Sequence, residues 1–554
     1  PVNLSVMKIL SLLSHALRAP GLAVAVLLVG LTTSCFDGLN LYPKYGLNSA
    51  TVYAPCDTCR NKTDNYTMVL AKIYGGLSLS GNQGPAGQGD ISGDEGFSQY
   101  LRVLWNLQEL PTEEALCAWS GDASIRDLNE ADWNSQSSFV NMMYARIFYQ
   151  VPLCNEFIYF CSEDWLADKA FSASEKATIL GYKAEARFMR ALSYYHAIDL
   201  FGKVPLVTEE DRPGSSIPDQ ASRAQLFTYV ESELKEIENL LPEPRSNQYG
   251  RVDKAAAWAL LARLYLNAEV YINTPKYSEC ATYCQKVIDA GYSLEPQYAN
   301  LFLADNHLAT NEIIFAINFD GLRSQNYGGT TFLVKSSTPS APTAAYREKR
   351  GTDGGWAGNR ATPQVWNWFP ADSSDSRKFL LDTMGMITDL SLQTDWTEFS
   401  KGILVSKFCN KTRSGGYGND PQRNFMDIDF PIFRLADVYL MYTEAIVRGG
   451  AGSSGNAIEY YNRVQQRAYG NNSNNISALP TLNQLCDERG RELLWEGLRR
   501  TDLIRFNRFI EGDYLWPYKG GPAAGQAINP KFKVYPLPLS DIIANPNLTQ
   551  NDGY

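Results

Sequence analysis

Apolar side chains recur at helical spacing through most of this chain, and that period limits what it can fold into. Residues 138–159 carry Val140, Met143, Tyr144, Ile147, Phe148 and Val151 at i, i+3, i+4 intervals, one stripe of long helical reach. Residues 175–201 repeat the pattern through Ala184, Phe188, Ala191, Leu192, Tyr195, Ile198 and Leu200, then stop at Gly202 with Pro205 beyond. Further helices are predicted over 223–241, 255–271, 277–290, 435–448, 457–469 and 487–508. Each stripe has to be covered by a neighbour, so the helices are expected to pack on one another.

Within 255–271, Trp258-x-x-Leu261-Ala262-x-x-Tyr265 fits the first-helix spacing of a tetratricopeptide repeat, with Ala in place of the usual Gly. A second helix follows and ends at Gly291, while 435–448 and 457–469 form another pair around Gly449-Gly450 and Ser453-Ser454-Gly455. Small residues such as Ala262, Ala268, Ala436 and Ala445 let such helices approach closely. The expected fold is mostly α, a tetratricopeptide-like helix-pair scaffold over about 138–300 and 430–510. Between the pairs, residues 311–418 turn rich in Gly, Ser, Thr, Asn and Trp, with Ile313–Ile317 reading as a short buried strand. A compact domain rarely carries a structureless loop of that size. An inserted loop-rich lobe with short strands is therefore expected, built from about 75–135 and 311–420.

Composition removes several functions. A net charge of −10 argues against non-specific nucleic-acid binding, which rests on Lys and Arg neutralising phosphates. With His15, His196 and His307 as the only histidines, a His-based metal centre or a His-driven triad has little raw material. No metal or cofactor is expected. Cys56 and Cys59 form a lone C-x-x-C in a Pro/Thr/Asn-rich stretch, read as a loop disulfide or two free thiols in preference to zinc. Cys280 and Cys284 would share one helix face as packing residues.

The N-terminus reads as an address. Met7-Lys8 and Arg18 precede an apolar run over 21–31, too short for a comfortable membrane span, and Thr32-Thr33-Ser34-Cys35 follows. This is similar to a bacterial lipobox, although Leu31 stands four residues before the cysteine instead of three. The other reading is a plain secretory signal with a chance cysteine. The expected layout is a signal peptide over 1–34, lipidation at Cys35, a tether over 35–67 and a single domain over 68–554. Acyl chains at Cys35 would make a durable anchor.

Several stretches resemble the SusD/RagB family. Ala184-Glu-Ala-Arg-Phe-Met-Arg-Ala-Leu-Ser-Tyr-Tyr, running through Leu200-Phe-Gly-Lys-Val-Pro-Leu206 to Glu209, is similar to the family's hallmark helix and turn. Phe433-Arg-Leu-Ala-Asp-Val-Tyr-Leu-Met-Tyr-Thr-Glu-Ala445, Glu488-Arg-Gly-Arg-Glu-Leu-Leu-Trp-Glu-Gly497 and Tyr535-Pro-Leu-Pro538 follow in the family's order. The resemblance implies a lipid anchor on the outer face of the outer membrane, and a TonB-dependent, SusC-like transporter as partner. Glu185, Arg187, Arg434, Glu444, Glu488 and Arg491 are read as structural charges. Glu488, Glu492 and Glu496, interleaved with Arg489, Arg491, Arg499 and Arg500, are read as a salt-bridged helix face and not a general acid/base pair.

Neutral sugars offer a C–H face for flat aromatics and a fringe of hydroxyls for Asn, Gln, Asp and Arg. Two glycine-flanked stretches supply both kinds. One contains Tyr327, Phe332, Trp356, Asn359 and Arg360; the other contains Asp90, Asp94, Glu95, Tyr100, Trp105, Asn106, Trp119 and Asp122. The residues expected to touch oligosaccharide or polysaccharide are Tyr327, Trp356, Asn359, Arg360, Phe332, Trp105, Asn106, Tyr100 and Asp94, with Trp105 equally readable as core between Leu104 and Leu107. The expected activity is capture without catalysis. A peptide-binding helical-repeat adaptor and a glycoside hydrolase are the rival readings.

Overall fold

The helical stripes become long buried helices in the computed structural model, which describes residues 48–554 except 82–83, 86–88, 95, 212–213, 215, 370–373 and 383–394. The expected signal peptide, Cys35 and the first part of the tether lie outside the described residues. A four-residue helix, Ser49–Val52, belongs to a small N-terminal unit; the elements that follow belong to a second unit, Pro55–Tyr554. Cys56 and Cys59 are disulfide-bonded.

The principal helices are α1 Asp64–Ser78, α2 Tyr100–Glu109, α3 Ser138–Phe160, α4 Ala173–Leu200, α5 Arg223–Ile237 and α6 Lys254–Leu266. They continue with α7 Tyr277–Asp289, α8 Gly329–Ser336, α9 Leu435–Val447, α10 Ser454–Tyr469, α11 Leu482–Leu493 and α12 Arg499–Arg505. Reciprocal capping boxes start α4 at Ser172 and Glu175, α5 at Ser222 and Gln225, and α11 at Thr481 and Gln484. Helix α3 packs on α4 and α4 on α5, while α6 packs on α7, α7 on α9 and α9 on α10. Ala262, Ala268, Ala436 and Ala445 are all fully buried, as close helix contacts require. Among the described residues no helix is long and apolar enough to cross a membrane.

Short antiparallel strand pairs punctuate the helices: β1 Leu116–Cys117, β2 Val204–Pro205, β3 Gln220–Ala221, β4 Ile313–Ile317, β5 Asn359–Arg360, β6 Leu381–Asp382, β7 Leu404–Val405 and β8 Phe430–Arg434. They join as β1–β5, β2–β3, β4–β8 and β6–β7.

Three sequence expectations need correction. The helix predicted over 255–271 breaks at Asn267, whose amide accepts from Arg505 at 2.9 Å and donates to the Arg263 carbonyl at 2.9 Å. The helix predicted over 487–508 is two helices. Between α11 and α12, Trp495 and Gly497 have φ of +63° and +74°. Glu114 accepts the Trp495 N–H at 2.7 Å, and Glu109 accepts those of Gly497 and Leu498 at 2.6 and 3.1 Å. Buried carboxylates from a distant segment thus hold a turn that local periodicity does not announce. Finally, residues 311–420 are not only strands and loops, since α8 and the helices Ala344–Arg350 and Pro363–Asn367 lie there.

The glutamates around α11 are ion-paired, but mostly to partners on other elements. Arg377 meets Glu488 and Glu492 at 2.8 and 3.0 Å, and Arg434 meets Glu312 and Glu496 at 3.0 and 2.7 Å. Lys407 donates to Glu496 at 2.6 Å and to the Leu494 carbonyl at 2.7 Å. Burial alone would raise the Glu492 carboxyl, yet Arg467, Arg434 and Arg377 outweigh it and hold it down at about 2.

Glu109 and Glu114 stand apart, because burial raises both carboxyls well above the ordinary glutamate range, Glu114 further through the neighbouring charge of Glu109. A carboxyl raised on folding binds its proton more tightly than in the unfolded chain. Its stabilising contribution is therefore present at low pH and fades as pH climbs above about 5. Glu114→Gln keeps an acceptor for the Trp495 N–H and removes that titration. From about pH 5 to 8 the melting temperature of Glu114→Gln should gain steadily on the parent protein; melting curves that stay parallel across that range would contradict the assignment.

Candidate functional site

The C-terminal end of α8 leaves backbone carbonyls in need of donors. Residues 356–358 supply them: Trp356 N–H donates to the Lys335 carbonyl at 2.7 Å, Ala357 to Thr338 at 2.9 Å and Gly358 to Ser336 at 2.7 Å. The chain then enters β5, where Asn359 faces Cys117 and Arg360 faces Leu116. The ladder extends one step, as Ala118 N–H donates to the Gly358 carbonyl at 2.9 Å. Trp119 Nε1 next donates to the Trp356 carbonyl at 3.0 Å. A Cβ on Gly358 would lie 2.4 Å from the Trp119 ring, so the indole rests where only glycine fits.

This arrangement brings together three half-buried rings from two distant stretches of sequence. Trp119 and Trp356 have centroids 6.5 Å apart at 50°, and Tyr327 lies 6.1 Å from Trp356 at 63°. Phe425 backs Tyr327 at 5.2 Å. Together the rings form a shelf of tilted aromatic faces. Beneath one end, the Arg102 guanidinium sits over Phe332, Phe97 and Trp119 at 4.7, 5.2 and 5.9 Å. At the other, Lys335 Nζ lies 5.8 Å from the Trp356 ring and is held by Asp353 and Asn424 at 2.5 and 2.6 Å.

Two carboxylates accompany the rings. Partial burial raises the Asp122 carboxyl, Arg102 opposes that rise, and the charge of Asp94 adds to it. Asp94 itself is exposed, its backbone N–H donating to Ser92 Oγ at 3.3 Å. The shelf thus combines hydrocarbon faces with carboxylate acceptors, over a buried guanidinium that lies against the rings, groups complementary to a polyol.

Of the residues expected to touch ligand, Tyr327 and Trp356 stand on the shelf and Asp94 near it. The others are corrected to roles inside the protein. Phe332 lies within α8 and is 1% exposed. Trp105, with no exposed surface, donates to the Trp495 carbonyl at 3.1 Å and packs edge-on against Trp495 and Phe332. Asn106 is buried beside it on α2, its amide without a hydrogen-bond partner among the described residues. Tyr100 pairs with His196 Nδ1 at 2.7 Å, and burial pushes that histidine down to about 4, so it stays neutral. Asn359 donates to Ser336 Oγ at 2.9 Å, and Arg360 donates to the carbonyls of Lys401 and Trp396. The latter two build the ladder under the shelf. Trp119 and Asp122 are recognised within the second stretch but not placed among the expected contacts, and Arg102, buried beneath the rings, is not singled out. The one available signal was Trp119-Ser120-Gly121-Asp122, an aromatic in polar, turn-like sequence.

Comparison with known proteins bears on the same regions. The SusD family profile matches residues 378–554. A second profile, described as starch-binding and associating with the outer membrane, matches residues 108–266. The chain is 33% identical to Starch-binding protein SusD of Bacteroides thetaiotaomicron, across 96% of this chain and 97% of that protein. It shares the fold of a SusD homolog from the same organism at a TM-score of 0.70 and 20% identity, over 92% of this chain and 99% of the other. Surface glycan-binding protein A of B. thetaiotaomicron, solved in complex with laminarihexaose, superposes at a TM-score of 0.67 with 20% identity, covering 88% of this chain and 99% of its own. With a curated relative matching at this identity from end to end, the chain belongs to the SusD family.

Proposed function

We propose that this protein captures oligosaccharide or polysaccharide at the cell surface and hands it to a TonB-dependent, SusC-like transporter, without cleaving it. The observation that carries the reading is the convergence of three half-buried rings, Trp356 neighbouring both Trp119 and Tyr327, with Asp94 and Asp122 close by and Arg102 beneath. Sugar rings lie on such faces through their C–H patches, and the flanking carboxylates accept from hydroxyls. The tilt of 50° to 63° between neighbouring rings favours a chain that curves over one that lies flat. The starch-binding relative supports the ligand class. Anchoring at the outer membrane would come from acyl chains on Cys35, with the domain beginning near residue 68 and the lobe of 75–135 and 311–420 carrying the ligand.

Trp119→Ala and Trp356→Ala should each weaken binding of the preferred glycan by about tenfold or more, roughly 1.4 kcal/mol, in calorimetric titration. Their melting temperatures should stay near that of the parent, because these rings are already partly in water. Phe332→Ala should instead cost about 3–5 kcal/mol of folding stability. Loss of stability without loss of affinity in the two tryptophan variants would overturn the shelf as binding surface. Incubation with the bound polysaccharide should yield no new reducing ends.

A further inference from the structure

The segment that reaches the shelf at Tyr327 begins, nine residues earlier, at the mouth of a separate cavity. This space of about 360 Å³ lies between α1, residues 248–251 and residues 315–318. Its floor is apolar, from Leu70, Leu77, Phe315 and Ile317, each at most 3% exposed. Its rim is polar and fixed. Tyr249 OH and Asn318 Nδ2 both donate to Asp429, at 2.8 and 3.2 Å, and Tyr74 OH donates to Glu185 at 2.6 Å. Asp429 and Glu185 are buried behind the wall, so the groups facing the cavity are oriented from the rear. Arg251 also lines the space, but its charge is matched by Glu185.

Two glycines shape the cavity. Gly250 has φ +81°, and a Cβ there would meet Asn318 Oδ1 at 2.3 Å; its absence gives the amide its place at the mouth. Gly75 leaves the α1 wall bare, with nothing nearer to a Cβ than Leu79 at 3.7 Å. An apolar floor under fixed, uncharged hydroxyl and amide groups suits a small polyol with a C–H face. We propose that this cavity is a second saccharide subsite, taking one or two rings of a neutral sugar apart from the aromatic shelf. The proposal rests on the glycan-binding reading for its ligand class.

Maltose and laminaribiose, as neutral glucose disaccharides, provide the probes. Total uptake is counted by equilibrium dialysis, and shelf occupancy is followed by tryptophan fluorescence, since no tryptophan lines the cavity. Gly75→Leu, which favours the helix while filling the space, should remove one of two bound disaccharides and leave the fluorescence response intact. Asn318→Ala should weaken the same uptake severalfold should Gly75→Leu fold poorly. A Trp119→Ala/Trp356→Ala double variant should keep the cavity-bound disaccharide. Uptake unchanged in Gly75→Leu and Asn318→Ala, or abolished by the double tryptophan variant alone, overturns the subsite and spares the shelf. Uptake lost in Gly75→Leu but untouched by the tryptophan changes supports the subsite and removes the shelf. No uptake by the parent protein overturns the subsite, and the shelf is then judged by fluorescence with longer oligosaccharides.

Discussion

Glu492 meets Arg377, Arg434 and Arg467 at once, in a setting where none of the four side chains is more than 4% exposed. Charges so deeply buried are tolerable only when fully paired, and deleting one member leaves its partner stranded at a cost of about 3–5 kcal/mol. The four residues come from α11, from the 3-10 turn Ser376–Leu380, from β8 and from α10. Glu312, Glu496 and Lys407 extend the network to the start of β4, the turn after α11 and the loop after β7. Apolar packing alone would allow these elements to slide; arginine forks meeting carboxylates at fixed positions leave few alternative registers.

The same logic reaches the shelf. Glu109 closes α2, Glu113 and Glu114 sit on the segment that joins it to β1, and all three are buried against the C-terminal helices. Glu113 pairs with Arg499, while Glu109 and Glu114 take the N–H groups of the turn after α11. Two residues beyond Glu114, the chain becomes β1, and Trp119 follows on the shelf. Trp356 and Tyr327 are set from the opposite direction, at the two ends of α8. The open faces are therefore held by buried parts of the molecule and need little ordering when a ligand arrives, which favours affinity.

Helical periodicity made the scaffold readable, since stripes at i, i+3 and i+4 survive in the sequence whatever they pack against. The aromatic shelf was readable only in part. Tyr327 and Trp356 stood out because glycines flank them. The same cue misled at Phe332, which follows Gly-Gly-Thr-Thr and looks like loop yet lies in α8, because its neighbours Gly329 to Ser336 are all buried together. Asn359 and Arg360 sit beside Trp356 in sequence but point into a two-residue ladder with β1. Nothing local announces a strand that short. Trp119 can stand beside Trp356 only because Gly358, 239 residues later, leaves room for its ring.

In the proposed mode of capture, flat rings on a rigid support receive the sugar. A crystal structure with an oligosaccharide of the preferred glycan tests it most directly. Density for sugar rings lying face-on against Trp119, Tyr327 and Trp356, with those side chains in the positions described, is the predicted result. Sugar bound with all three ring faces left bare would contradict the account.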